Sequence, residues 1–306
     1  MGFFARLFVP LAAVLAATAL WLVVEYEQNT VFALNDLEEA PGTLTPALGP
    51  IPGAPDAKQP PAAVPAGGEK PARERFARAF DRNDSRPRIA VIISGLGLTR
   101  EGTERAIDEI PAEVTLAFSP YGENLGPLVA RARERGHEIL LAVPMEPADV
   151  KRRDAGPAAL SVNDSEAATR QRFKWMLGRI HSQVGIVGDL GDRFARDPVA
   201  MKPLFEELAA HGLLYVDNRL ETPEPGMLGN GVAAASVTVW LDRDLAGDSI
   251  DREIANAETL ARRDGSVVVL ARPYPTTLAR VSAWLKTFDR SALVAAPVSA
   301  VAKGGS

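Results

Sequence analysis

Four carboxylates and three guanidiniums stand where apolar runs of this chain end. Glu146 follows the run 138–145, and Asp189 and Asp192 flank Gly191 just before Arg193. Asp217 and Arg219 close the run 213–216, while Arg272 and Tyr274 follow 266–271. A carboxylate at such a position can take a proton as a general base, and Glu146 and Asp217 are the candidates for that role. Several carboxylates together can instead hold a hard cation through oxygen, which Glu146, Asp189, Asp192 and Asp217 could supply. Arginine offers a planar fork of donors to hydroxyl or carboxylate oxygens, which makes Arg193, Arg219 and Arg272 candidates for gripping a ligand. Tyr274 and Trp240 carry ring faces on which a sugar could stack, although packing is the ordinary use of a single aromatic. His137 completes the ligand-binding set, His137, Asp189, Asp192, Arg193, Arg219, Arg272 and Tyr274. Each also has a structural reading. His137 can orient the turn after Gly136, and Glu146 and Asp217 can pair with Arg193, Arg219 or Arg272. His181 and His211 sit late in helical patterns, where they complement the helix dipole.

Composition narrows the chemistry. The chain has 306 residues and no cysteine, so thiol nucleophiles, disulfides, iron–sulfur clusters and Cys-bound zinc are excluded. Three histidines limit any imidazole-based metal site. A net charge of −5 leaves no overall electrostatic footprint for nucleic acid, although a local basic patch can hide in the average. A hydrophobic content of 46% with 24% charged residues is that of a globular protein.

The elements that must position these residues alternate in type. Short β-branched runs at 88–94, 114–118, 138–143, around Ile186, and at 213–217, 266–271 and 292–298 read as strands. Between them, 103–110, 124–135, 164–182, 198–211, 250–263 and 275–288 read as helices. In 164–182, Phe173, Met176, Leu177 and Ile180 make one apolar face, with Trp175 off it. Pro144 is expected to stop the third strand. This alternation implies a mainly parallel sheet with helices outside it, either a closed or partly closed (β/α) barrel or an open doubly wound sheet. In a parallel barrel, chemistry gathers at the C-terminal ends of the strands. No Gly-x-Gly-x-x-Gly or P-loop pattern follows any strand, which argues against nucleotide binding.

The first 86 residues are of another kind. Leu7 to Val24 is an uncharged run of 18 residues, about 27 Å long as a helix. Arg6 lies before it and Glu25 and Glu27 after it, which puts the N-terminus in the cytoplasm. Ala17-Thr18-Ala19 resembles a cleavage site, but five apolar residues follow it, so an uncleaved anchor is preferred over a signal peptide. Pro41 to Pro71 holds nine prolines and reads as an extended tether. Residues 69–84 carry Phe76 and Phe80 at i, i+4, consistent with a short helix leading into the folded body. The expected organisation is an anchor at 1–27, a linker at 28–86 and a domain at 87–302.

Six segments of the domain carry a further signal in their order: IAVIISGLGL (89–98), VTLAFSPYG (114–122), GHEILLAVPMEP (136–147), GIVGDLGDRF (185–194), GLLYVDNR (212–219) and ARPYPTTL (271–278). Together they resemble the divergent polysaccharide deacetylase family. The resemblance implies a deformed (β/α) barrel of the glycoside hydrolase/deacetylase type, usually exported. In the wider superfamily an Asp/His/His-bound divalent metal activates water against an N-acetyl carbonyl. His137, Pro144, Met145, Glu146, Pro147, Gly191, Arg193, Asp217, Pro273 and Pro275 match the family pattern.

The metal-binding positions depart from it. The two aspartates that typically end the first strand are Ser94 and Gly95 here, and the histidine of the third strand is Ala142. The Asn-Asn-His-Met-Gly-Ser stretch is replaced by Val187 to Asp192, and the histidine of the late Gly-His-Pro by Arg272. A hydrolytic metal needs about three protein ligands and an open position. No metal site and no cofactor are therefore expected, the carboxylate-rich cation site above being the alternative. The expected protein is a single-pass inner-membrane protein with a periplasmic, catalytically degenerate domain. Its expected partners are a cell-envelope polysaccharide and, through the N-terminal helix, the membrane, with no nucleic acid. Two other readings stand beside it: an active hydrolase on carbohydrate N-acetyl or ester groups, and a non-catalytic scaffold that binds a protein.

Overall fold

A computed structural model describes residues 70–220 and 231–304. The apolar run 7–24 and nearly all of the Pro-rich stretch lie outside them. Among the described residues no helix is long and apolar enough to cross a membrane.

The strands are β1 (Arg88–Leu96), β2 (Thr115–Phe118), β3 (Ile139–Met145), β4 (Gly185–Leu190), β5 (Leu214–Asp217), β6 (Ala234–Ser236), β7 (Val239–Trp240), β8 (Ser266–Ala271) and β9 (Val294–Ala295). The helices are α1 (Ala72–Arg75), α2 (Arg100–Glu109), α3 (Leu125–Glu134), α4 (Glu166–Leu177), α5 (Pro198–His211), α6 (Gly247–Asp264) and α7 (Pro275–Thr287). Short 3-10 turns at Phe194–Arg196 and Val298–Ala300 complete the list.

The strands form one all-parallel sheet in the order β6-β5-β4-β3-β2-β1-β8-β7. β9 pairs with β1 at Arg88 and Ile89, below the point where β2 takes over that edge at Ile92. The sheet curls until its two edge strands, β6 and β7, are separated by only Val237 and Thr238. Val237 N–H donates to Asp217 O (2.8 Å) and Thr238 N–H to Val268 O (2.9 Å), one to each side of the seam. The chain itself, rather than a β6–β7 ladder, bridges the gap.

Alternation along the strands splits the core in two. Ile89, Val91, Ile93, Phe118, Leu141 and Val143 face outward onto helix residues such as Ile107, Phe173 and Leu278. Ala90, Ile92, Ala117, Leu140, Ala142 and Leu270 face into the curl, where Val298 and Ala300 join them. Alanine at three of these inward positions lets the sheet close tightly. Covering on both faces explains why these strands read as unbroken apolar runs.

Helix boundaries follow local chemistry. Asp197 caps α5 by accepting from Val199 N–H (2.9 Å) and Ala200 N–H (3.0 Å), Pro198 opens it, and Gly212 ends it at φ +63°. Four sequence expectations need correction. β3 runs through Pro144 to Met145, because the Pro144 carbonyl still accepts from Leu160 N–H (3.0 Å). Trp175 is buried, near Tyr121 (ring centroids 6.3 Å apart) and under Arg179, so α4 buries more than one stripe. The helix expected in 69–84 is the four-residue α1, and the final strand shrinks to β9.

The segment before β1 packs under the N-terminal end of the barrel. Arg73 N–H bonds Gly212 O (2.9 Å), and Arg78 bonds Gly136 O through Nη1 (2.8 Å). Glu138, buried at the start of β3, receives Arg78 N–H (3.0 Å) and Ser299 N–H (3.1 Å), tying this segment to the C-terminal one. Burial pushes its carboxyl up from the usual range despite those donors.

Candidate functional site

A cleft of about 610 Å³ opens at the C-terminal ends of β1, β4 and β8. Leu98, Thr99 and Gly102 form one wall, Pro273 and Tyr274 another, and Asp189 and Arg272 the floor. Arg272 Nη2 donates to Asp189 Oδ1 at 2.6 Å, with the two side chains about one-fifth exposed. The guanidinium rests against Gly95, whose positive φ (+91°) and missing side chain leave room for it: a Cβ there would stand 3.0 Å from Nη1. It also lies 5.7 Å from the centroid of the Trp240 ring, within cation–π range.

Asp242 holds Arg272 in place and was not singled out from the sequence. It is 6% exposed and accepts from Arg272 N–H (2.7 Å), Thr277 Oγ1 (3.1 Å) and Trp240 Nε1 (3.0 Å). Burial raises its carboxyl above the ordinary range although all three bonds oppose the shift. The signal available was spacing: Trp240 and Asp242 are two apart at the end of β7, so they face the same way.

The remaining sequence candidates fall in three other places. Glu146 accepts from Ser161 Oγ (2.5 Å), Val162 N–H (3.0 Å) and Arg193 Nη1 (2.6 Å), fastening the long β3–α4 connection. Asp192 lies nearby and takes Arg153 Nη2 (2.9 Å) and Ala148 N–H (3.2 Å). Partial burial pushes the Asp192 carboxyl up, but these donors outweigh it and leave the group below its usual value. Asp217 is 1% exposed and wrapped by Arg219, two residues on, through Nε (3.0 Å) and Nη2 (2.7 Å). His137 lies at the opposite end of the barrel, before β3, where Nδ1 meets Val114 O at 2.8 Å. Of the predicted set, the structure brings Asp189, Arg272 and Tyr274 to the cleft; Glu146, Asp192, Arg193, Asp217 and Arg219 pair among themselves or with Arg153, and His137 is remote. Trp240 meets Arg243 and Arg272.

These donors do not fit a divalent metal. Each of the four strand-end carboxylates already carries an arginine: Glu146 with Arg193, Asp189 with Arg272, Asp192 with Arg153, and Asp217 with Arg219. Among the described residues no three His, Cys, Asp or Glu side chains come together as a ligand set. Ser94 and Ala142 are buried, and the fixed charge of Arg272 repels a cation from Asp189.

Fold and site define a curled, all-parallel α/β half-barrel with its cleft at the strand C-termini. The chain belongs to the divergent polysaccharide deacetylase family, whose model matches residues 91–302. An uncharacterized protein from Agrobacterium tumefaciens C58, of known structure, superposes with a TM-score of 0.75 at 28% identity, covering 79% of this chain and 99% of its own. An uncharacterized protein of Haemophilus influenzae is 25% identical over 203 residues, 65% of this chain and 71% of its own length. YibQ of Escherichia coli K12, also uncharacterized, is 23% identical over 194 residues, 62% of this chain and 60% of its own.

Proposed function

We propose that this protein binds a cell-envelope glycan in the cleft and has lost metal-dependent deacetylation. The observation that carries the reading is the Asp189–Arg272 pair, 2.6 Å apart, on the floor of a cleft whose rim bears the exposed Tyr274. A paired carboxylate and guanidinium offer acceptor and donor side by side, which matches the hydroxyl groups of a sugar. A half-exposed tyrosine offers a ring face to stack on the sugar's C–H face. Arg272 already holds Asp189 on the cleft floor, which leaves that carboxylate no open coordination to offer a hydrolytic metal. The proposal includes export and an inner-membrane anchor at residues 7–24, with the domain in the periplasm. In this reading Glu146 and Asp217 have structural roles, each bound to its own arginine outside the cleft.

Calorimetric titration of the full chain with peptidoglycan fragments and neutral envelope oligosaccharides tests the reading. Binding is expected, with an at least tenfold loss in Arg272→Gln, Asp189→Asn and Tyr274→Ala and no acetate released. Absence of binding across the panel, or acetate release abolished by a chelator, overturns it.

One observation favours a second reading, a protein partner on the same face. The exposed large apolar side chains among the described residues, Leu98, Val150, Val199, Leu220, Leu245 and Tyr274, all lie in or next to connections that follow strand C-termini. Capture of one defined partner, lost on Leu98→Ser or Leu245→Ser but kept in Asp189→Asn, would favour it over the glycan.

A further inference from the structure

The two ends of the barrel hold several of their arginines differently. At the cleft end, Arg153, Arg193, Arg219 and Arg272 are each neutralised by a carboxylate. At the other end, Arg78 bonds Gly136 O, Arg82 bonds Ser299 O (3.4 Å), and Arg88 bonds Ala300 O (3.0 Å) and Arg82 O (2.8 Å). Carbonyl oxygens fix a guanidinium in place without cancelling its charge. Residues 70–88 hold seven Lys and Arg against three Asp and Glu, in a chain whose net charge is −5.

Two cavities open on this end and share Arg82, Ala300 and Ala302. The first, about 590 Å³, sets Arg73, Arg78 and Arg82 around an apolar shelf that includes Phe80 and Ala233, with Glu74 as its one acid. The second, about 560 Å³, adds Arg86, Arg88 and Lys303. Its acids are Asp84, which is paired with Arg86, and Asp264, which is paired with Arg263. An apolar shelf under a cationic rim is complementary to an anionic amphiphile.

Lys70 and Pro71, which lead into α1, lie at this same end, where Arg73 N–H bonds Gly212 O. The inference rests on the inner-membrane anchor proposed above, which puts a lipid surface beside the domain. We propose that this basic end is a docking surface for anionic phospholipid headgroups, which turns the cleft away from the membrane. Phosphate oxygens take the guanidinium donors that carbonyls leave over, and the glycerol and first acyl carbons rest on the alanine–phenylalanine shelf.

Amide hydrogen exchange of the full chain tests this, with vesicles of phosphatidylcholine compared against vesicles containing one-third phosphatidylglycerol. Both vesicle types accept an apolar anchor, so the comparison isolates the headgroup. Exchange in 72–86 and 298–304 is expected to slow several-fold on the anionic vesicles, to recover at high salt, and to stay unchanged around the cleft. Arg82→Gln with Lys303→Gln is expected to abolish the protection, and Arg82→Lys with Lys303→Arg to restore it in a chain of unchanged circular dichroism. Equal exchange on the two vesicle types, protection that survives the charge-removing pair, or equal protection by inorganic phosphate alone would overturn the proposal.

Discussion

The Arg272 guanidinium fills the space that any side chain on residue 95 would need, with Nη1 3.0 Å from where a Cβ of Gly95 would stand. Gly95 lies in β1 and Arg272 directly follows β8, and their sizes are matched: the absent side chain on one makes the seat of the other. The same arginine reaches across to Asp189 on β4, so the ends of three strands meet at one guanidinium.

Gly95→Ala should cost about 1–2 kcal/mol, because φ of +91° disfavours any L side chain and the new methyl presses on Arg272. Arg272→Ala removes the contact but leaves the backbone strain. Urea denaturation of the two single variants and the double variant should show a smaller Gly95→Ala cost in the Arg272→Ala background. Strict additivity would locate the whole cost in the backbone.

Zinc, manganese or magnesium should leave the thermal midpoint of the protein unchanged, as should EDTA. A site occupied at a hundred times its dissociation constant would add about 2.7 kcal/mol and raise the midpoint by several degrees. Differential scanning fluorimetry reads the difference directly, and a metal-dependent rise would contradict the arginine-bound carboxylates.

Acid should destabilise the fold through two histidines. Burial lowers His137 below its unfolded value of 6.5, and burial likewise lowers His211, against the opposing pull of Glu207. In each case the unfolded chain binds the proton first. The stabilisation is therefore present above pH 6.5 and lost as pH falls toward the folded value. Urea midpoints at pH 7.5 and pH 5.5 should differ, and His137→Gln, which keeps a donor for Val114 O, should flatten part of that slope. An unaltered slope in both His137→Gln and His211→Gln would exclude these two groups as its source.

Glu146→Ala should cost about 1–3 kcal/mol, since it strands Ser161 Oγ, Val162 N–H and Arg193 at once while the half-exposed Arg193 keeps some solvation. The loosened β3–α4 connection should be cut faster by trypsin at Lys151, Arg152 or Arg153. Unchanged cleavage would mean the connection is held elsewhere, for example by Tyr121, whose hydroxyl bonds both Ala155 O (2.9 Å) and Ala158 N–H (3.0 Å).

Asp242→Asn should weaken binding in the cleft by roughly tenfold, on the order of 1.4 kcal/mol, by turning an amide N–H₂ toward a donor. Asp242 is a positioning residue, so the expected signature is a shifted Trp240 emission together with the weaker affinity, since Trp240 Nε1 loses its acceptor. A changed affinity with unaltered emission would separate the two roles.

The helices with chemical punctuation were legible in the sequence. α5 came out at its observed limits because Pro198 and Gly212 mark both ends, and β8 because its run of valines is covered on both faces. β6 and β7 were not, because three- and two-residue strands owe their form to the curl of the whole sheet rather than to any local pattern. The pairing of carboxylates with arginines divides in the same way. Asp217 and Arg219 are two positions apart and could be matched by eye. Glu146 and Arg193 are 47 apart, and Asp189 and Arg272 are 83 apart, so only the register of strands that meet late in the chain makes them partners. For Asp242 the two-residue spacing from Trp240 was the only local signal, because its other two donors, Arg272 N–H and Thr277 Oγ1, lie 30 and 35 residues away.

The seam at Val237 and Thr238 joins the two sheet edges through bonds to β5 and β8 rather than through a strand pair. Widening the sheet here would break the Val237 N–H bond to Asp217 O and the Thr238 bonds to Val268, so the crossing is tied on both flanks although it carries no ladder of its own. On its β7 side the seam leads straight to Trp240 and Asp242, which meet Arg272, so this crossing adjoins the Asp189–Arg272 floor.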